Sequence, residues 1–337
     1  MEQTCSCGVA RTEVGGGGAE TRHPRARPEQ NSGGVHDLEQ AIVPAGTFAM
    51  GDSSGDANLQ DGESPVHTVA LSAFSIDATA VTNLAFAAFV ESTGYRTEAE
   101  VFGYSAVFHL ALSAPEVDIM GVAAGSPWWR GVRGAQWRRP GGSGSSIEGL
   151  EDHPAVHVSW NDATAYCVWA GRRLPTEAEW EYASRGGLDA SRYPWGDQPP
   201  DEGGRWRANI WQGDFPVTNT SDDGFITTAP VKAYAPNGYG LWQTVGNVWE
   251  WCADRFDASY YRYSPDRDPQ GPTSGDTRVL RGGSYLCHDS YCNRYRNSAR
   301  THNTPDSSTA NTGFRTVAVS GAMGSRASVE MQPIDPD

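Results

Sequence analysis

A mixed α+β domain of irregular build, pinned by turns and buried rings more than by long helices or wide sheets, is the fold class this sequence predicts. Glycine and proline carry the first sign, with 39 and 21 of the 337 residues, well above the roughly 12% these two types contribute to an ordinary protein. The second is an abundance of large aromatics, 12 tryptophans and 13 tyrosines, which bury wide surfaces and can anchor loops. The third is a series of short apolar runs interrupted by only three well-signalled helices.

Taken in order, residues 1–37 have almost no large apolar side chains and include Gly15 to Gly18. They cannot bury enough surface to offset chain entropy and are expected to form a disordered tail. From Ile42 onward IVPAGTFAMGD and VHTVALSAFSID read as short strands around the polar turn SSGDANLQDGESP. A first helix is expected from Thr82 or Asn83, both good caps, with Phe86, Phe89 and Val90 on one face and a stop before Gly94. Residues 115–150, as in SPWWRGVRGAQWRRPGGSGS, read as a long ordered loop in which arginines such as Arg130, Arg133, Arg138 and Arg139 stack on tryptophans. A second helix runs from about Asn161 through Ala163, Tyr166 and Val168 to Gly171. In the third, Thr176 and Glu179 form a capping box, and Trp180 and Ala183 face inward. No long helical period follows, and residues 321–337 read as a loose tail. One catalytic domain is expected over residues 38–320.

Composition narrows the function. With 26 Lys and Arg against 41 Asp and Glu the net charge is -15, which argues against nucleic acid, since phosphate binding draws on clustered basic residues. An acidic surface could instead weakly steer a substrate segment that carries arginine. No run of about 18 apolar residues is present, so no membrane span is expected. The start has no secretory apolar region, which points to a cytoplasmic protein with reduced thiols. Of the six cysteines, Cys5 and Cys7 sit in the expected tail, and Cys167 within the second helix reads as a buried, inert thiol. None of them forms a repeated zinc-type CxxC pair.

The chemistry concentrates between Val279 and Arg315, where Cys287 and Cys292 stand five positions apart in RVLRGGSYLCHDSYCNRYR. On a helix such a pair would diverge by about 140°. In a loop the two can converge, which leaves a short-loop disulfide, two unrelated buried thiols, or a two-thiolate site for a soft ion such as Cu(I). The spacing alone does not choose among the three.

The surrounding frame does. That stretch, followed by NTPDSSTANTGFR and preceded by HVSWNDATAYCVWAGRRLPTEAEWEYASRGG, ANIWQGDFPVTNTSDDGF and GLWQTVGNVWEWCAD, closely resembles the formylglycine-generating enzymes, or sulfatase-modifying factors, over roughly residues 38–320. The LPTEAEWE and GNVWEW blocks recur across a wider superfamily, whereas the paired cysteines within GGSxLCHxSYCxRYR mark the oxidase. The resemblance implies an irregular C-type-lectin-like fold with little regular secondary structure, and it implies an activity. That activity is the O2-using, copper-dependent conversion of a cysteine in a Cys-x-Pro-x-Arg motif of an unfolded sulfatase to Cα-formylglycine, with an external thiol as reductant. A monomer is expected.

By the same resemblance Cys287 and Cys292 are Cu(I) ligands, and Ser284, Tyr291 and Trp249 line an oxygen pocket, with Trp249 also able to serve as a core anchor. Asn311, Arg315 and His288 fall near the cleft. Structural Ca2+ is implied at one site by the Asn209 side chain, the Ile210 carbonyl, Asp223 and the Phe225 carbonyl, and at a second by the Gly246 and Val248 carbonyls, Glu250 and residue 243. Gln243 stands where asparagine is common in the family. Asn297 and Thr316 occupy positions where secreted relatives carry disulfide cysteines, so Cys167 is expected to be unpaired. Two other classes compete. An iron-dependent sulfoxide synthase on the same scaffold would need a three-histidine site, and the eight histidines here are scattered; a non-catalytic binding module should lack one of the central cysteines, and both are present.

Overall fold

The computed structural model describes residues 9–14 and 34–319. A four-residue helix α1 (Arg11–Val14) is followed by β1 (Gln40–Val43), β2 (Gly46–Met50), β3 (His67–Leu71) and β4 (Phe74–Asp77), the strands that the alternating apolar pattern predicts. Next come α2 (Asn83–Thr93), α3 (Glu98–Phe102), β5 (Tyr104–Phe108), β6 (Ile119–Ala123), β7 (Ser126–Arg133), α4 (Trp160–Ala170), β8 (Arg172–Arg173) and α5 (Glu177–Arg185). Two small hairpins follow, β9 (Asp201–Glu202) with β10 (Arg205–Trp206) and β11 (Gly213–Asp214) with β12 (Thr218–Asn219). The described chain closes with β13 (Trp249–Arg255), β14 (Arg278–Arg281), β15 (Arg300–Asn303), β16 (Thr312–Gly313) and β17 (Val317–Ala318).

The helices start and stop where local chemistry dictates. Thr82 caps α2 by accepting the Ala85 N–H, and Gly94 ends it in the left-handed region that a side chain would resist. Helix α4 begins one residue before the expected Asn161, because Ser159 and Asp162 form a capping box at its start. The Thr176 and Glu179 box of α5 is as expected, and Trp180 and Ala183 are buried. Such caps contribute about 0.5–2 kcal/mol each, which matters in helices no longer than the 11 residues of α2 and α4.

Two four-stranded sheets are ordered β1-β4-β17-β8 and β15-β14-β13-β16; Val43, Phe74, Ile76 and Val317 of the first join one apolar cluster, and Trp249, Trp251 and Leu280 of the second join the main core. Between β13 and β16 the pairing is parallel, which brings Trp249 opposite Thr312 and Glu250 opposite Gly313. The core itself is dominated by rings: Phe86 packs edge-on against Trp137 at 5.2 Å, and Tyr166 against Phe314 at 5.3 Å. Helices and sheets are mixed and regular secondary structure is sparse, as the composition predicts.

Two sequence expectations need correction. Residues 115–150 are not one long loop, since β6 and β7 pair with β5 in a three-stranded sheet; the stacking is present, with the Arg138 guanidinium 3.9 Å from the Trp137 ring centre. Nor are all of residues 1–37 a tail. Val9 and Val14 are buried, and His36 bonds Tyr166 Oη at 3.0 Å and Asp77 Oδ1 at 2.7 Å. Their partners lie far along the chain, so local composition cannot reveal them. Cys5, Cys7 and the 321–337 tail fall outside the described residues.

Candidate active site

Strand β14 ends at Arg281, and the chain turns immediately through Gly282 and Gly283, at φ 94° and 72°. Side chains are excluded from both: a Cβ on Gly282 would stand 2.5 Å from the Thr244 carbonyl, and one on Gly283 would stand 2.6 Å from the Arg294 carbonyl. This tight passage sets Ser284 and Cys287 facing each other across a turn. Cys287 N–H donates to the Ser284 carbonyl at 2.9 Å, and Ser284 N–H donates to Cys287 Sγ at 3.4 Å. The next turn is closed by one acceptor, the His288 carbonyl, which receives the N–H groups of Tyr291, Cys292 and Asn293 at 3.1, 2.9 and 3.0 Å. Its effect is to fold Cys292 back into the apolar cluster that already contains Cys287, Trp249, Trp251 and Tyr295. Both cysteines of the sequence-predicted pair thus belong to one apolar cluster, with Cys287 at 1% and Cys292 at 8% exposure.

Beyond Cys292 the loop is clamped by ions. Arg294 Nε donates to Asp61 Oδ2 at 2.5 Å, and Arg296 takes both oxygens of Glu63 at 2.7 and 3.0 Å. All four side chains are buried. A planar guanidinium held in two places is a directional fixture, so the short segment Leu59–Glu63 sets the position of the cysteine loop. Sequence reasoning missed this clamp, although the arginines that alternate after Cys292 were a signal for it.

Ser284, Cys287 and Tyr291 line one small cavity together with Leu286, Trp128, Trp129 and Phe215. Its volume is about 10 Å3, near the lower limit for holding one water-sized molecule. Tyr291 is positioned by stacking on Phe215 at 4.1 Å and by an edge contact with Trp128 at 5.2 Å. Ser284 Oγ accepts from Asn311 Nδ2 at 2.9 Å and from Leu286 N–H at 3.3 Å, which leaves its own hydroxyl proton to donate. Trp249 is not in the cavity wall. Its ring is fully buried in the core and its Nε1 has no hydrogen-bond partner among the described residues, while the residue's backbone N–H donates to the Asn311 carbonyl at 2.9 Å.

The other candidates divide. Asn311 belongs to the site through Ser284. Arg315 is a buried cross-link, with Nε and Nη2 on the two oxygens of Glu250 at 2.6 and 2.8 Å and further bonds to the Asp77, Ala78 and Trp242 carbonyls. His288 turns its ring toward Ser290 and Asp289 and serves the loop through its backbone carbonyl. Cys167 is buried and unpaired, its thiol pushed well up by burial. Asn297 bonds Ser184 and Ser191, while Thr316 bonds Asp77, so hydrogen bonds tie the chain at both of those positions.

Among the described residues no three or more His, Cys, Asp or Glu side chains form a group that could hold a metal. A soft ion would therefore rest on the two thiols, whose number and burial suit Cu(I), and the Ser284 N–H on Cys287 Sγ is the kind of outer partner a metal-bound sulfur accepts. A hard ion would rest on amide and carbonyl oxygens. Asn209 donates through Nδ2 to the Thr227 carbonyl at 2.8 Å, and among the described residues the buried Asn209 Oδ1 and Asp223 Oδ2 have no hydrogen-bond partner. Burial raises the Asp223 carboxyl, against the opposing pull of the Phe225 N–H. Two orphaned buried oxygens within the expected set, one of them anionic, fit a calcium ion. At the second expected site Gln243 Oε1 is also orphaned, with the backbone at φ 44°, but both oxygens of Glu250 already accept from Arg315. The first site fits the ion better than the second.

These features have counterparts in known proteins. A family model described as the sulfatase-modifying factor enzyme 1-like domain matches residues 26–319. A formylglycine-generating enzyme of Streptomyces coelicolor is 63% identical over 292 residues, which is 87% of this chain and 91% of that protein. One from Bos taurus is 49% identical over 322 residues, covering 94% and 85%. Among solved structures, PvdO from Pseudomonas aeruginosa superposes with a TM-score of 0.61 over 83% of this chain and 94% of its own, at 24% identity, and so bears on the fold alone.

Proposed function

Because the chain belongs to the sulfatase-modifying factor enzyme 1-like family, we propose that Cys287 and Cys292 are the Cu(I)-holding thiols of an O2-using oxidase that acts on a Cys-x-Pro-x-Arg segment of an unfolded sulfatase. The coarser activity is that of a formylglycine-generating enzyme, an oxidase converting cysteine to formylglycine with a sulfatase as client. What supports the finer reading is a single arrangement: two buried thiols in one apolar cluster, one of them in the wall of a cavity sized for a very small molecule.

The overall reaction balances with one client thiol, one O2, two electrons and two protons giving the aldehyde, hydrogen sulfide and water. Of the four electrons O2 accepts, two leave the client side chain and two come from an external thiol. Cu(I), when bound, would supply the one-electron chemistry by which O2 is reduced. The chain's own residues supply containment and orientation. Trp128, Phe215 and Tyr291 wall the cavity with aromatic rings, and Ser284, fixed by Asn311, directs its hydroxyl proton as a donor toward a polar guest. Calcium at Asn209 and Asp223, with the Ile210 and Phe225 carbonyls, would tie the irregular loop ahead of β13. The reading of a cytoplasmic, reducing setting draws support from Cys167, unpaired in the core, and from the hydrogen-bonded Asn297 and Thr316.

The test is conversion of a Cys-x-Pro-x-Arg peptide followed by mass spectrometry. Cys287→Ser and Cys292→Ser should each abolish the mass decrease at the client cysteine, and metal-free protein should gain activity with copper and lose it to a Cu(I) chelator. Full turnover by either variant, or indifference to copper, would refute the two-thiol site.

A further inference from the structure

Helix α1 brings a short stretch of the chain's own N-terminal region against the wall of the cysteine cavity. Val9 and Val14 are 1% and 3% exposed and join the apolar cluster of Trp129, Tyr285, Leu286 and Ala310. Two members of that cluster, Trp129 and Leu286, also line the cavity at Cys287. The groove floor is bare at Gly131, where a Cβ would stand 2.2 Å from the Val14 carbonyl oxygen. Backbone bonds hold the segment in register: Asn303 Nδ2 donates to the Val9 carbonyl at 3.1 Å, and Arg11 N–H donates to Ser307 Oγ at 3.0 Å.

Arg11 is the anchor. Its guanidinium lies 4.0 Å over the Phe102 ring centre and 5.3 Å from that of Tyr104. Nε and Nη2 donate to the Asp306 carbonyl at 3.0 and 2.7 Å, Nη1 donates to the Tyr104 carbonyl at 3.3 Å, and Nη2 reaches Ser308 Oγ at 3.4 Å. Backbone carbonyls and aromatic faces thus make a pocket for an arginine side chain. In the sequence, Arg11 stands four positions after Cys7, with Val9 midway, so Cys7-Gly8-Val9-Ala10-Arg11 reproduces the spacing of the client's Cys-x-Pro-x-Arg, valine standing for proline.

We infer that residues 9–14 are a built-in pseudosubstrate, seated on the surface that takes the client's arginine-bearing segment, and that a client must displace them. The inference rests on the client motif of the reading above. An occupant tethered to its own groove competes at high effective concentration. If it is docked nine-tenths of the time, the apparent client affinity falls about tenfold.

The test uses the full chain and a fluorescein-labelled peptide carrying Ser-x-Pro-x-Arg, in which serine replaces the reacting cysteine, with binding read by anisotropy. Arg11→Ala should bind this probe about tenfold more tightly than the wild type, and a synthetic peptide of residues 5–14 with serines for its cysteines should displace the probe from the variant. Equal, measurable affinity of the two forms, or simultaneous binding of both peptides, overturns the mimicry and leaves the client reading standing. A variant that fails to fold identifies residues 9–14 as a fixed strap and also overturns it. Absence of probe binding to either form sinks the client reading itself, and the mimicry with it.

Discussion

The Asn311 side-chain amide donates to Ser284 Oγ at 2.9 Å, joining the turn before Cys287 to the segment that enters β16. Asn311 is itself held, its Oδ1 accepting from Thr309 Oγ1 at 2.6 Å. Ser284→Ala is expected to lower kcat by about ten- to a hundredfold, the usual range for a residue that supports a metal or reactive ligand from behind. Asn311→Ala should act in the same direction through the serine, so the double variant should be no worse than Ser284→Ala alone. Strictly additive losses would mean that the two residues act independently.

Arg315 and Glu250 form a fully buried pair whose partner removal should be far more damaging than replacement of both. Arg315→Met leaves the Glu250 carboxylate without its guanidinium, with Trp180 Nε1 still donating to it at 2.7 Å. The expected loss is about 3–5 kcal/mol in urea unfolding. Adding Glu250→Gln should restore part of it, because the uncompensated charge is then gone. A single-variant loss below about 1 kcal/mol, the range of an exposed pair, would contradict this account.

What could be read in advance was whatever is encoded within a few residues. The Thr176 and Glu179 box and the Thr82 to Gly94 helix are local hydrogen-bond patterns, and both are observed. The cysteine pair was ambiguous by spacing and became specific only through the words around it. What could not be read depends on partners far away in sequence. Arg294 meets Asp61 and Arg296 meets Glu63 across 233 positions, and no periodicity links such pairs. Strand β7 was hidden because its SPWWRGVR composition suggests a loop, and only pairing with β5 and β6 makes it a strand. Arg11 was read as part of a tail because its acceptors, at Tyr104 and Asp306, lie about 93 and 295 residues on.

Burial holds His157 neutral, with its pKa lowered to about 4, while its ring nitrogens bond Ser105 Oγ at 2.7 Å and the Pro140 carbonyl at 2.8 Å. The unfolded chain takes up this proton near 6.5 and the folded chain only near 4. Its contribution is therefore present above pH 6.5 and falls by about 3 kcal/mol as pH drops to 4. Asp162 works in the opposite direction: burial first and Glu98 second raise it to about 7, so its contribution is present at low pH and is lost as pH rises through about 7. Comparison with His157→Asn, which tolerates φ 57°, isolates the histidine. The stability gap between wild type and variant should shrink between pH 7 and pH 4; a constant gap would place the titration elsewhere.

Calcium should stabilise the chain through the orphaned oxygens of Asn209 and Asp223. An ion that binds only the folded state adds about 2.7 kcal/mol at a hundredfold excess over its Kd, enough to raise Tm by several degrees in a domain of this size. Asp223→Asn keeps an oxygen to accept the Phe225 N–H, which Asp223 now does at 3.0 Å, but removes the negative charge that a hard cation requires. The wild type should therefore melt higher in calcium than in chelator, magnesium should give a smaller shift because it demands tighter octahedral geometry, and Asp223→Asn should melt alike in both. An unchanged calcium response in that variant would move the ion to another site, with Gln243 and the Gly246 and Val248 carbonyls the next to test.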